Sequence, residues 1–215
     1  MRQFAVSDLS SDATYRLLIG MIVPRPIAWV TTVSANGKIN LAPFSAFTYL
    51  STTPPLIGIS ITRRGGALKD TALNIERTGE FAVNIAGEDC AELVHRSSAE
   101  YPHGVSETET LHLQTVASVD IAAPRLAMAA ASMECRFDQA IEFGDLRQRL
   151  VVGRVLRFHV RDDLLDNGRI DTVRLRPLSR IAGPAYAALG EIMRMAALHR
   201  SGHEKTDAQP DVAKG

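Results

Sequence analysis

Little in this chain commits it to a special environment. Only two cysteines occur in 215 residues, Cys90 and Cys135, widely separated and outside any Cys-x-x-Cys pair. A disulfide framework and a zinc site are therefore not expected, and both thiols should be buried. No charge of one sign predominates: 24 Lys and Arg balance 24 Asp and Glu, so no net field draws the chain to nucleic acid or to an anionic membrane. Any anion site must be local. Long apolar runs are also missing. Residues 17–23 and 121–133 are too short or too interrupted to span a bilayer, and the N-terminus lacks the basic start and apolar stretch of a secretory signal. The expectation is a cytoplasmic protein with no membrane partner and no nucleic-acid partner. There is no Gly-x-Gly-x-x-Gly run to support a Rossmann nicotinamide site, and no His-x-x-x-His or Ser-His-Asp arrangement that the sequence justifies.

What is present is enough apolar sequence for a real core. Hydrophobic residues make up 46% of the chain, and no shift in composition divides it. We therefore expect one domain over residues 1–200, followed by a polar tail at 201–215 that lacks apolar periodicity and should be disordered. Residues 27–33 form a β-rich run closed by Ser34-Ala35-Asn36-Gly37, and Asn-Gly between extended segments predicts a hairpin because both positions tolerate positive φ. Pro54-Pro55 bars a central strand at that point, and residues 56–62 resume one. Lys69-Asp70-Thr71 opens and Gly79 closes a short helix over 70–78, with Asp70 read as its cap. A strand follows at 81–85. Residues 87–98 have helical spacing, residues 97–113 read as a long polar excursion, and residues 133–143 and 149–160 alternate as long returning strands.

These segments carry a resemblance. Pro24-Arg25-Pro26-Ile27-Ala28-Trp29-Val30-Thr31-Thr32-Val33, Asn40-Leu41-Ala42-Pro43-Phe44-Ser45, Pro54-Pro55-Leu56, Lys69-Asp70-Thr71 and Thr78-Gly79-Glu80-Phe81 resemble the flavin reductase-like, FMN-binding split-barrel family. So does the closing run Pro177-Leu178-Ser179-Arg180-Ile181-Ala182-Gly183-Pro184-Ala185-Tyr186. The resemblance implies a mainly β fold, a six-stranded antiparallel split barrel with flanking helices. It also implies a homodimer with FMN near the subunit interface and NADH or NADPH as a transient hydride donor.

The residues themselves fit such a cofactor. FMN needs donors for a dianionic phosphate, backbone amides for the polar edge of its ring and apolar surface for the other edge. Ser60, Arg63, Arg64, Lys69 and Thr71 cluster around one strand end and a helix start, where side-chain donors and free helix amides can meet a phosphate. Ala42, Pro43, Phe44, Ser45 and Thr48 belong to a segment whose backbone would lie along the ring, and Arg25, Thr31 and Thr32 are further candidates for the ring or ribityl chain. Taken singly, each has an ordinary structural alternative: a solvated basic turn, a helix cap, a loop between strands, or a core aromatic at Trp29. Three readings of function stay open at this level. They are a nicotinamide-dependent flavin reductase, an FMN-holding electron carrier, and a split-barrel protein that binds some other ligand.

Overall fold

Alternation and turn chemistry together produce a seven-stranded antiparallel sheet, seen in a computed structural model that describes residues 1–196. The tail expected at 201–215 lies outside the described residues. The strands are β1 (Ala28–Val33), β2 (Ile39–Phe44), β3 (Phe47–Thr52), β4 (Pro55–Ile61), β5 (Glu80–Ile85), β6 (Ala131–Phe143) and β7 (Gln148–Val160). They lie in the order β2-β1-β5-β6-β7-β4-β3. The helices that matter here are α1 (Ser11–Met21), α2 (Asp70–Thr78) and α3 (Ala91–Ser97).

The sheet has one strand more than expected, and the reason is a corner. At its two ends stand β2 and β3, which are consecutive in the chain. β2 pairs with β1, the chain bends at Ser45 and Ala46, and β3 pairs with β4, placing Phe47 opposite Ile59. The Ser60 amide donates to the Ala46 carbonyl at 2.8 Å across this corner. Counted as one bent strand, β2 and β3 restore the number six, and the bend carries the chain from one end of the sheet to the other. The corner thus joins the two ends of the sheet through one continuous stretch of chain, with β2 and β3 as its end strands.

The inner face is apolar, with Val30, Phe44, Ile59, Phe81, Cys135 and Val151 buried together, and α2 closes the barrel with Ala72 and Ile75. On the outer side of β1 and β2, Trp29 and Leu41 pack with Val94 of α3 and with Leu126. The indole Nε1 of Trp29, fully buried, donates to Ser97 Oγ at 2.9 Å, satisfying the one polar atom of a large core side chain. Where β7 crosses Phe81, the chain uses Gly153. A Cβ there would stand 2.3 Å from the Phe81 ring, and the β6–β7 register shifts between Val152 and Gly153.

The excursion over 97–113 is less exposed than its polarity suggests. Ser106, Glu107, Thr108 and Leu111 are buried, and a turn of helix, Glu107–Thr110, forms behind the Ser106 cap. Among the described residues no helix is long and apolar enough to cross a membrane.

Candidate functional site

Arg25, just before β1, ties three segments together. Its guanidinium donates to the carbonyls of Ile19 at 2.8 Å, Ile22 at 2.6 Å and Ile181, and its Nε faces Ser45 Oγ at 3.4 Å. Arg25 is thus largely occupied in holding the end of α1 and the closing motif against the corner. Ser45 is half-buried at that corner, and Ala42 and Pro43 are half-buried just before it. Phe44 points into the barrel core, so only its backbone faces outward. Thr48 is exposed, its hydroxyl donating to the Tyr49 carbonyl at 3.2 Å.

From Ser60, beside the corner, the chain runs through the basic loop to the start of α2. Here the two arginines part company. Arg63 turns to the β6–β7 hairpin, binding Glu142 at 2.6 Å and the carbonyl of Arg147 at 3.1 Å. Arg64 turns to the excursion, where Glu100 lies 2.8 Å from its Nη2. Its charge reaches Lys69. The Lys69 ammonium is held below the usual lysine range, first by partial burial and then by Arg64, while Glu100 pulls the other way.

Helix α2 begins without a side-chain cap. Lys69 is the N-cap residue and its side chain caps nothing. The first helical bond runs from the Leu73 amide to the Lys69 carbonyl at 3.1 Å, which leaves the amides of Asp70, Thr71 and Ala72 without intrahelical acceptors. Asp70 is not the cap that the sequence suggests. It is the first helical residue, and its carboxylate meets His103 Nδ1 at 2.5 Å. An anion at this helix start would find amides, the positive end of the helix dipole and two basic side chains.

The two threonines of β1 point to opposite faces, as strand geometry requires. Thr32 enters a buried polar cluster: Asn74 donates to its hydroxyl at 3.0 Å, and Asn40 Nδ2 donates to Thr71 Oγ1 at 2.9 Å. That cluster joins the start of α2 to β2 just before Ala42. Thr31 lies on the other face, donating to the Pro124 carbonyl at 2.5 Å, away from the Thr32 cluster. The structure therefore joins Arg25 and Ser60 to the corner, Arg64 to Lys69 and Thr71 to Asn40 of β2, and it directs Arg63 to Glu142 and Thr31 to Pro124. It also adds Glu100 and Asn74, whose roles need tertiary contacts to be seen, and it places His103 of the excursion on Asp70. In the closing motif, Arg180 donates to the Tyr186 hydroxyl and lies over its ring at 4.5 Å, with His95 edge-on at 5.8 Å.

Fold and site together define the class: a split barrel whose open helix start and bent strand form a surface suited to a phosphorylated ring cofactor. Comparison with known proteins then gives the family. The profile of the flavin reductase like domain matches residues 20–178, and the chain belongs to that family. An uncharacterized protein of Halalkalibacterium halodurans is 44% identical over 189 residues, covering 86% of this chain and 90% of that one. Among solved structures, nitrilotriacetate monooxygenase component B from Bacillus cereus superposes with a TM-score of 0.88 at 38% identity, covering 91% of this chain and 98% of its own. The 2-nitrobenzoate 2-nitroreductase of Pseudomonas fluorescens superposes with a TM-score of 0.84 at 30% identity, covering 94% of this chain and 100% of its own. The family accordingly gives a flavin as the class of cofactor and flavin-dependent redox chemistry as the class of reaction.

Proposed function

We propose that this chain is an FMN-dependent oxidoreductase that takes hydride from NADH or NADPH, with the FMN phosphate at the amide end of α2. The observation that carries the reading is the uncapped helix start, where the Asp70, Thr71 and Ala72 amides lie beside Lys69 and Arg64. Such amides take their partners from side chains, water or a ligand, and a phosphate here would also meet the two cations beside them. Bound flavin would supply the redox step, accepting hydride and passing electrons onward. The chain's own residues would bind and orient. Lys69 and Arg64 neutralise the phosphate, Thr71 and Asn40 hold the helix start against β2, and the backbone from Ala42 to Thr48 faces the ring's polar edge.

No general acid is required of the protein, because hydride transfer depends on holding two rings at a near-attack distance. Nicotinamide would stack over the flavin without a dinucleotide fold of its own. We also infer a homodimer in the cytoplasm. Helix α1 has no buried residue, and Tyr49, Phe143, Leu146 and Phe158 are exposed apolar groups on the strands and the β6–β7 turn. The testing experiment mixes purified protein with FMN under anaerobic conditions and adds NADH or NADPH. Rapid bleaching of the flavin band supports the reductase reading, and binding without bleaching favours an electron carrier.

A further inference from the structure

The excursion over 97–113 is strapped to the barrel between Glu100 and Glu107. Glu100 lies 2.8 Å from Arg64 of the basic loop, and His103 Nδ1 lies 2.5 Å from the Asp70 carboxylate at the start of α2. Lys38 of the β1–β2 turn donates to the Gly104 carbonyl at 3.0 Å, and Glu107 accepts the Leu41 amide at 2.8 Å. The strap is buried at Ser106 and Glu107 and open at its other end, where the His103 side chain is 79% exposed against 30% for Asp70. Among the described residues that carboxylate is the one hydrogen-bond partner of the imidazole, and His103 is the one basic group paired with Asp70.

We propose that His103 sets the affinity of the α2 start for the cofactor phosphate, by cancelling the charge of Asp70. The inference rests on the reading of a phosphate at those amides. Asp70 supplies one of the three free amides, so its own carboxylate lies no more than a side chain's length from an anion held there. A carboxylate in the first turn suits the helix dipole by itself. It also opposes a second negative charge at the same amides. With His103 protonated, Asp70 is compensated and the phosphate meets Lys69 and Arg64 alone. With His103 neutral, the carboxylate stands against it. FMN binding should therefore weaken as pH rises and His103 loses its proton. The other charges around the pair are Lys38 and Arg77, which line one cleft with Asp70 and His103, Lys69 and Arg64 at the helix start, and Glu107, which feels Asp70. Histidine is the member of this set whose ordinary range lies near neutrality. Lys69 is moved down toward neutrality and Glu107 up, so the experiment must separate them from His103.

The test measures Kd for FMN and for riboflavin, which lacks the phosphate, on wild type, His103→Gln, Asp70→Asn and the double variant, from about pH 5 to about pH 9. Gln keeps a donor for Asp70 without the charge. The quantity read is the preference for FMN over riboflavin. In acid, His103→Gln should lower it about two- to fivefold, the scale of an exposed charge pair, and in alkali it should match wild type. Ionisation of the phosphate itself, at about pH 6, is common to both proteins and cancels between them, as do Lys69 and Glu107. Asp70→Asn should exceed wild type in alkali. It should also make His103→Gln silent, because the exposed imidazole has no other hydrogen bond to hold it at the site. The inference is overturned if wild type and His103→Gln show the same preference at every pH, or differ by one constant factor, which is the mark of a purely structural strap. If wild type binds FMN and riboflavin equally throughout, the phosphate reading falls and the inference falls with it. A preference for FMN that ignores His103 sinks the inference alone.

Discussion

The Glu107 carboxylate accepts the Leu41 amide of β2 at 2.8 Å, across 66 positions of sequence. Since β2 ends the sheet and pairs only with β1, this bond satisfies an edge amide that no strand reaches. Replacing Glu107 with Ala should cost about 1–3 kcal/mol of unfolding free energy, by leaving that buried donor unpaired; denaturant titration measures it. Gln keeps an acceptor and should cost less. Burial pushes the Glu107 carboxyl above its ordinary value, opposed by the Leu41 amide and helped by Asp70. The folded state thus holds this proton more tightly than the unfolded chain. Its contribution is full below the ordinary carboxyl range and is lost as pH rises through the raised folded value. Stability of wild type relative to Glu107→Gln should fall over that interval, and a flat difference would contradict the assignment.

Glu134 behaves in the opposite way. It is fully buried, and burial works against its charge. The Asp120 amide at 2.6 Å, the Val119 amide at 2.8 Å and His159 at 2.6 Å more than offset this, holding the carboxyl below its usual range. Stability from this carboxylate is present above the unfolded value and is lost as pH falls through the folded one. Thermal melts of Glu134→Gln should lie below wild type at neutral pH, by the equivalent of about 1–3 kcal/mol. The gap should close in acid.

Gly153→Ala places a methyl against the Phe81 ring inside the barrel. Both partners are held by strands, so the ring has nowhere simple to go. A loss of about 1–3 kcal/mol is expected from overpacking, read from the denaturation midpoint. Phe81→Leu in the same background should recover part of it.

Much of the scaffold is legible because its signals are local. Helix α2 forms over the very residues marked by Lys69-Asp70-Thr71 and Gly79, and Gly79 takes the left-handed conformation that ends it, with φ at 73°. The hairpin forms at Asn36-Gly37, but with positive φ at Gly37 alone, 81°, and both long returning strands appear within two residues of their expected starts. What eluded the sequence depends on tertiary placement. A glutamate in a polar stretch reads as solvated, and only the fold puts Glu107 against an edge amide. The corner at Ser45-Ala46 is invisible to periodicity, because pairing with two different strands leaves no mark on alternation. Two adjacent threonines on a strand carry identical chemistry, yet Thr32 joins the polar cluster at α2 and Thr31 faces Pro124. Adjacent arginines divide likewise, Arg63 to Glu142 and Arg64 to Glu100.

Because Glu100 sits on Arg64, it competes with any phosphate for that guanidinium. Glu100→Gln should therefore raise FMN affinity modestly, by about two- to fivefold, in line with a surface pair worth no more than ~1 kcal/mol. Fluorescence titration at low and high salt checks this, and the gain should shrink as salt screens the pair.

The phosphate site at the α2 start is tested most directly by comparing FMN with riboflavin, which has the same ring and no phosphate, on wild type and Lys69→Ala. Wild type should bind FMN far more tightly than riboflavin. Lys69→Ala should lose about 1.5–3 kcal/mol of FMN binding, the usual worth of a charge-assisted contact, with riboflavin unchanged. Equal affinity of wild type for the two flavins would contradict the account.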